Sequence, residues 1–276
     1  MTAAAPIRLI AFDLDQTLFG VDQVIRPRVQ AAIAQARLAG VAITIATGRN
    51  AGVAGRFACQ LGVTVPIICV QGGCVYDHQQ GKPLHDVRLK PELVPQIVAA
   101  AERYGWNIHF ESLERNYLPA QSDHPPIFYE LLRNSPWVRV NDLLRDIPEL
   151  PHKVIVSMAH PNDLARTVSE MNEALGTSLT IVPSHPYLVE GLPENVDKGH
   201  ALAWLANYLG IPQREVMAIG DSEADIPMIQ WAGIGVAMGN GSGTVKAAAD
   251  WVAPTLEEDG AAVAIERFCF AGRSGL

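Results

Sequence analysis

The chain has 276 residues, a length that fits one large domain or two modest ones. Apolar residues make up 49% and charged residues 18%, which allows a packed core and excludes an intrinsically disordered chain. The net charge is −8 without a cluster of lysine or arginine, which argues against a nucleic-acid surface but not against a phosphate ligand that one lysine and a metal ion can hold.

The cysteines indicate the cellular compartment, and the apolar runs indicate whether the chain crosses a membrane. No apolar run reaches membrane-spanning length, and residues 1–6 are too short and too uncharged for a signal peptide. The cysteines lack the paired spacing of a metal site and are typical of buried thiols in a reducing cytosol. We therefore expect a soluble cytoplasmic protein with no membrane partner. The cysteines are Cys59, Cys69, Cys74 and Cys269.

The first predicted strand, residues 7–12, is an apolar run that ends in two carboxylates, Asp13 and Asp15. Side chains alternate along a strand, so both acids can point to one side while Leu14 points away. Two neighbouring carboxylates repel each other unless a cation lies between them, and a divalent ion with oxygen ligands, Mg²⁺ above all, suits this arrangement. A solvated turn at the strand end is the alternative.

A helical pattern over residues 22–40 and a buried strand over 41–46 follow, and the strand ends in Thr47, Gly48 and Arg49. This strand–helix–strand order predicts a parallel sheet with its functional groups at the carboxyl ends of the strands. The Thr47 hydroxyl can donate a hydrogen bond there, and Gly48 lets a ligand approach the backbone closely. A helix N-cap is the alternative or additional role for Thr47.

From about residue 84 the pattern changes, after a third strand at 66–70. Helical and strand-like segments alternate without any phosphate or metal motif, which predicts a separate α+β module of ordinary domain size. The predicted domains are a sheet domain, residues 1–83 plus 187–276, and an insertion, residues 84–186. The segments of the insertion are helices over 91–104 and 162–175, strands over 106–111, 153–158 and 178–182, and an irregular stretch over 119–151.

The sheet pattern resumes after residue 187. Lys198 lies at the start of a predicted helix that runs to residue 209, and a buried strand at 215–219 ends in a second acidic group that includes Asp221 and Asp225. Because the carboxyl ends of parallel strands meet at one edge of a sheet, we expect these residues to line the same crevice as the first strand's acids. The remaining predicted elements are a strand at 234–237, a helix that ends near 249 and a strand at 251–252.

Four motifs occur in a specific order, namely Asp13-x-Asp15-x-Thr17, Thr47-Gly48-Arg49, Lys198-Gly199 and Gly220-Asp221-x-x-x-Asp225. Together they resemble the motifs of the haloacid dehalogenase superfamily of phosphohydrolases. The position of the insertion and the segments 236–240 and 246–250 resemble the Cof-type (class IIB) branch. The resemblance implies a doubly wound, Rossmann-like, mostly parallel α/β core as the catalytic domain and an inserted type-2 α+β cap.

The resemblance also implies catalytic and metal-binding roles. Asp13 would be the nucleophile that forms an aspartyl-phosphate, and Asp15 would be the general acid and then the general base. Mg²⁺ would be held by Asp13, by the backbone carbonyl of Asp15 and by Asp221.

The remaining motif residues are implied to bind the transferred phosphoryl group. Thr47, the Gly48 amide, Arg49 and Lys198 would contact its oxygens, and Lys198 is also counted among the catalytic residues. Asp225 is implied to orient Lys198 or a water on the metal rather than to bind the ion directly.

Two positions depart from the Cof-type pattern. Ala224 stands where an asparagine usually contacts the phosphate, and Gln71 precedes Gly72 where an Asn-Gly turn is usual. The loss of one hydrogen bond to a charged phosphate weakens binding by about 1–3 kcal/mol, so we expect attenuated rather than abolished chemistry.

The expected function is hydrolysis of a small phosphorylated metabolite, with sugar phosphates ahead of nucleotide-like or vitamin phosphates. A phosphomutase and a phosphatase with one dedicated substrate are the closest alternatives. The non-enzyme alternatives are a phospho-acceptor regulatory module and a protein that binds a phosphorylated ligand without turnover. We expect a monomer or small homo-oligomer without a nucleic-acid partner, and no residue of the insertion receives a role.

Overall fold

The computed structural model describes residues 6–122, 124–132 and 134–270, which form three β-sheets with helices packed around them. The strands are β1 (Leu9–Phe12), β2 (Ala42–Ile45), β3 (Ile67–Cys69), β4 (Cys74–Asp77), β5 (Lys82–Asp86), β6 (Asn107–Glu111), β7 (Asn116–Pro119), β8 (Trp137–Val140), β9 (Lys153–Ser157), β10 (Leu179–His185), β11 (Leu188–Pro193), β12 (Val216–Gly220), β13 (Ile234–Ala237) and β14 (Trp251–Val252). The helices are α1 (Pro27–Leu38), α2 (Ala51–Leu61), α3 (Leu93–Tyr104), α4 (Pro126–Leu131), α5 (Leu164–Leu175), α6 (Lys198–Tyr208), α7 (Ile226–Trp231), α8 (Gly243–Ala248) and α9 (Gly260–Ile265).

The core is a five-stranded parallel sheet in the order β14-β13-β12-β1-β2. Strand β1, which lies between β12 and β2, is buried on both faces, as expected for a continuous apolar run in a parallel sheet. Ile10 and Phe12 pack into one hydrophobic cluster with α1, α2 and α9, whereas Leu9 and Ala11 pack into another with α6. The predicted doubly wound α/β fold is confirmed. No helix in the described ranges is long and apolar enough to cross a membrane.

A small antiparallel sheet, β3-β4-β5, lies beside the core sheet. An isolated parallel bridge between Ala46 and Ile68 joins the end of the second core strand to β3. The apolar run at residues 66–70 predicts β3, but no pattern indicates the hairpin that follows, because β4 is short and β5 contains a proline and two charged residues.

The insertion builds a six-stranded sheet in the order β10-β11-β9-β6-β7-β8, antiparallel except for the parallel pair β7 and β8. Helices α3 and α5 pack on one face of this sheet in a separate hydrophobic cluster. The other face lies toward the core, as a hydrogen bond from Lys153 of β9 to the Gly48 carbonyl shows. The stretch predicted to be irregular, residues 119–151, contains α4 and β8. The prolines in this stretch interrupt the periodic patterns by which a helix or a strand is recognised in a sequence.

The two predicted domain limits do not fall between independent elements of the structure. The limit at 186/187 separates β10 from β11, although β11 pairs with both β10 and β9. The limit at 83/84 falls inside β5, which pairs with β4. Strand β11 contains Gly191 and Pro193, and both residue types are uncommon inside strands. Gly191 is required there because an added Cβ would lie 2.8 Å from Val154 Cγ1. We therefore propose residues 88–193 as the inserted unit.

Candidate active site

Three carboxylates meet at the carboxyl edge of the parallel sheet. Asp13 follows β1, and Asp221 and Asp225 follow the neighbouring strand β12. One oxygen from each of these carboxylates lies within 4.8 Å of the others. Asp13 is 5% exposed and Asp225 is fully buried. The edge of the sheet therefore concentrates negative charge in a poorly hydrated place, and the residues meet there as expected for the carboxyl ends of parallel strands.

Lys198 lies among these acids. Its Nζ is 2.6 Å from Asp13 Oδ1 and 2.5 Å from Asp225 Oδ1, and the residue is 2% exposed. Burial lowers the pKa of Lys198, but the two carboxylates outweigh burial and raise it, so the ammonium stays charged. Lys198 is the first residue of α6, where the Asp197 side chain accepts a hydrogen bond from the His200 amide and caps the helix.

Close backbone packing fixes the start of α6. Gly72 has φ +96°, and a Cβ there would lie 2.2 Å from the Asp197 carbonyl oxygen. The turn after β3 therefore touches the residue just before Lys198. A positive φ favours glycine, and any side chain at position 72 would collide with the Asp197 carbonyl, so the fold requires the glycine here.

Asp225 binds both Lys198 and the backbone of the turn that follows β12. Its Oδ2 accepts hydrogen bonds from the amides of Asp221 and Ser222 and from the Ser222 hydroxyl at 2.9–3.0 Å, while its Oδ1 contacts Lys198. A Cβ on Gly220 would lie 2.4 Å from Asp225 Cβ, so a glycine at the strand exit makes room for this carboxylate. Both oxygens of Asp225 are thereby engaged.

The site carries more negative than positive charge. Burial raises the pKa of Asp13 well above its ordinary value, and Asp225, Asp221 and Asp15 raise it further, although Lys198 acts in the opposite direction. Burial and Asp225 raise the pKa of Asp221 to about 7, against a hydrogen bond of 2.8 Å from the Thr17 hydroxyl. A divalent cation would relieve this repulsion, and an all-oxygen donor set suits Mg²⁺. The residues present therefore fit a magnesium ion.

The Asp15 side chain lies apart from the three clustered acids. It is 50% exposed and accepts two hydrogen bonds from the Arg49 guanidinium, at 2.7 Å from Nε and 2.6 Å from Nη2. The same guanidinium carbon is 5.7 Å from the centre of the Phe19 ring. The acidic cluster thus contains Asp225 in place of the Asp15 side chain, and the contact that Arg49 makes is with Asp15.

Thr47 and Gly48 form the turn after β2. Thr47 is 1% exposed, and its hydroxyl accepts a hydrogen bond of 3.2 Å from the Arg49 amide. The capping role considered for Thr47 is wrong, because the Asn50 side chain caps α2 through the Val53 amide. A Cβ on Gly48 would lie 2.6 Å from Gln71 Nε2, so the glycine lets the β3 turn pack against this one.

Sequence reasoning missed a second buried ion cluster, in the inserted sheet. Lys153 Nζ is 3.1 Å from Glu111 and 2.9 Å from Glu190, and the three residues are 2–5% exposed. The available signal was a single charged residue in each of three strands, at the end of β6, at the start of β9 and inside β11. It was weak, because a single charge at a strand end is common in a solvated turn.

The comparisons with known proteins agree with this geometry. The family model for haloacid dehalogenase-like hydrolases matches residues 10–265. The 5-amino-6-(5-phospho-D-ribitylamino)uracil phosphatase YcsE of Bacillus subtilis is 30% identical over 266 residues, 95% of this chain and 96% of its own length. A haloacid dehalogenase-like hydrolase of Bacteroides thetaiotaomicron has a crystal structure with a TM-score of 0.82 and 29% identity, over 95% of this chain and 99% of that one.

A further solved structure shares the fold. It belongs to the subclass IIB sugar phosphatase BT4131, with a TM-score of 0.81 and 24% identity over 95% of this chain and 98% of that one. The resemblance drawn from the four sequence motifs is confirmed. The chain therefore belongs to the haloacid dehalogenase-like hydrolase family and is an enzyme of its phosphatase branch.

Proposed function

We propose that the protein hydrolyses a small phosphate monoester through an aspartyl-phosphate on Asp13, with Mg²⁺ as cofactor. The observation that carries the proposal is the buried Asp13 carboxylate, which lies 2.6 Å from Lys198 and beside Asp221 and Asp225. A carboxylate attacks a phosphate dianion only where positive charge offsets the repulsion between them. Lys198 supplies part of that charge, and the acidic cluster fits the ion that supplies the rest.

Each chemical step has a residue to perform it. An Asp13 oxygen attacks phosphorus, the bond to the ester oxygen breaks, and Asp15 gives a proton to that oxygen as it leaves. Asp15 then takes a proton from water, which attacks the phosphorus and releases phosphate and Asp13. The exposed position of Asp15 suits a group that exchanges protons with substrate and solvent, and Arg49 orients it through both carboxylate oxygens.

The phosphoryl oxygens would be bound by the Thr47 hydroxyl, the Gly48 amide and the Lys198 ammonium as charge spreads over them. Asp13, Asp221 and the Asp15 carbonyl would hold Mg²⁺, with Asp225 beside them, and the ion would supply positive charge to the reacting phosphate. Arg49 would contact the phosphoryl group only if it left Asp15, so its binding role is secondary to its orienting role in this proposal.

The proposed substrate class is a phosphorylated sugar or sugar alcohol. YcsE is named for a phosphorylated ribityl compound, and BT4131 is described as a sugar phosphatase. We propose the reducing cytosol as the compartment, since Cys69 and Cys74 are paired across β3 and β4 and remain free thiols. A monomer or small homo-oligomer is proposed for the assembly.

The test is release of phosphate from an aryl phosphate and from a panel of phosphorylated sugars, with Mg²⁺ and with a chelator. We expect turnover with Mg²⁺, none with the chelator, and a loss of at least about a thousandfold in Asp13→Asn, because the nucleophile is removed. Asp13→Asn must keep the Tm of a folded protein. Undiminished turnover of the folded Asp13→Asn variant, or of the wild type in the presence of the chelator, would contradict the proposal.

A further inference from the structure

The buried ion cluster of the inserted sheet consists of Glu111, Lys153 and Glu190, from the neighbouring strands β6, β9 and β11. Glu111 and Lys153 are directly paired across β6 and β9. Val154 and Val156 of β9 pack against the helices of the insertion, so the alternation along the strand directs Lys153 to the opposite face. That face lies toward the core domain.

Lys153 donates its third hydrogen bond to a backbone carbonyl of the core domain. An ammonium group has three donors, and Lys153 Nζ has three acceptors, namely Glu190 Oε2 at 2.9 Å, Glu111 Oε2 at 3.1 Å and the Gly48 carbonyl oxygen at 3.0 Å. A buried charge without its full set of hydrogen bonds costs several kcal/mol, so each of the three contacts matters. The inserted sheet is therefore bound to the turn after β2 through one saturated ammonium group.

The turn that Lys153 contacts is the one proposed to bind phosphate. Its other backbone contacts come from the core: Thr47 N donates to the Ile68 carbonyl, Gln71 N to the Thr47 carbonyl and Val70 N to the Arg49 carbonyl. The Gly48 carbonyl belongs to the peptide group that continues into Arg49, and Arg49 holds Asp15. A movement of the Gly48 carbonyl thus rotates the peptide that leads to the orienting arginine.

We propose that Lys153 is a positioning residue, which sets the Thr47–Arg49 turn in its phosphate-binding geometry when the inserted sheet lies against the core. The inference rests on the proposed function, because it assigns the turn to phosphate. The ion pair with Glu190 keeps the lysine charged, and the hydrogen bonds to Glu111 and Glu190 direct it at Gly48. When the sheet and the core separate, the Gly48 contact is lost and the turn binds phosphate less tightly.

The test compares two variants that differ in the Gly48 contact. The triple variant Glu111→Gln, Lys153→Met, Glu190→Gln removes that contact and leaves no buried charge. The matched control, Glu111→Gln, keeps Lys153, its ion pair with Glu190 and its bond to Gly48, and the glutamine amide oxygen can still accept the third hydrogen bond. A second control is Lys90→Met, which removes an exposed lysine elsewhere in the insertion. The probe is inorganic phosphate with Mg²⁺, and its Kd is measured by titration calorimetry on the full-length protein.

We expect the Kd for phosphate to rise by at least about tenfold in the triple variant and to stay within about threefold in both controls, as for the loss of one hydrogen bond from a charged donor. The KM for an aryl phosphate should rise in parallel while kcat changes less. In hydrogen exchange, the amides of residues 48–50 should exchange faster in the triple variant than in Glu111→Gln. A purely structural lysine would lower the Tm and leave these quantities unchanged, and that result would overturn the inference.

The binding and exchange measurements do not depend on turnover. A wild type that binds phosphate without hydrolysing esters would contradict the proposed function and leave the comparison of variants decisive for Lys153. If the triple variant does not fold, Lys153→Arg replaces it, since arginine keeps the charge but places its donors differently. The same rise in Kd is expected there, and an unchanged Kd would overturn the inference.

Discussion

The two domains each bury a lysine between two carboxylates, and the difference between these clusters is instructive. In the core, Lys198 lies between Asp13 and Asp225, and in the insertion Lys153 lies between Glu111 and Glu190. Both lysines are 2% exposed, and for both the carboxylates outweigh burial and raise the pKa.

The neighbours of the two clusters decide what each can do. Asp221 adds a further carboxylate to the core cluster, whereas a neutral carbonyl, that of Gly48, completes the cluster of the insertion. The core cluster is left with an excess of negative charge, which a metal ion can offset. The lysine of the insertion has all its donors satisfied, which suits a positioning role. The same arrangement of one lysine and two carboxylates therefore suits a reactive or a positioning role according to its next neighbour.

The largest expected difference between the clusters is in turnover. Lys198→Met removes the ammonium beside the nucleophile, and we expect kcat/KM for an aryl phosphate to fall by at least about a hundredfold, as for loss of a group that stabilises developing charge. The exposed Lys90→Met should keep its activity. Steady-state kinetics on variants with a cooperative thermal transition provides the measurement, and a fall of less than about threefold would contradict the proposed role of Lys198.

The second difference is in the response to Mg²⁺. An ion that binds only the folded protein stabilises it by about 2.7 kcal/mol at a hundredfold excess over its Kd, so the wild-type Tm should rise on addition of Mg²⁺. Asp221→Asn should lose most of this rise because it removes a proposed ligand, and Glu190→Gln should retain it. Equal responses of both variants would remove the distinction between the clusters. Differential scanning calorimetry at fixed protein concentration measures the effect.

The smallest expected effect concerns an ion pair near the junction of the two domains. Burial would raise the pKa of Asp86, but hydrogen bonds from His152 and Arg88 outweigh it and lower the pKa to about 2. Because the folded pKa is below the ordinary value, Asp86 stabilises the protein above pH of about 4 and loses this contribution as the pH falls toward 2. Asp86 is partly solvated, so the contribution is about 1 kcal/mol after screening.

The check is urea unfolding of wild type and Asp86→Asn between pH 2 and 6. We expect the free energy of unfolding to differ by about 1 kcal/mol at pH 6 and to converge at the acid end. A difference that persists unchanged at low pH would mean that the contact does not depend on the charge of Asp86.

The sequence by itself determined the fold class and the residues at the strand ends. Apolar runs that end in acids, such as the one before Asp13, specify buried parallel strands locally, and the order of motifs identified the family. The set of residues at the carboxyl edge followed from the topology of a parallel sheet, since all strand exits lie on one side.

Only the tertiary structure decided which of these residues meet. Arg49 pairs with Asp15, Asp225 rather than the Asp15 side chain joins the acidic cluster, and Glu111, Lys153 and Glu190 converge from three strands of the insertion. Periodicity describes neighbours one turn or two residues apart along the chain, and these pairs are tens of residues apart. Their contacts depend on strand pairing and on how the two domains pack, which no local pattern of residues encodes.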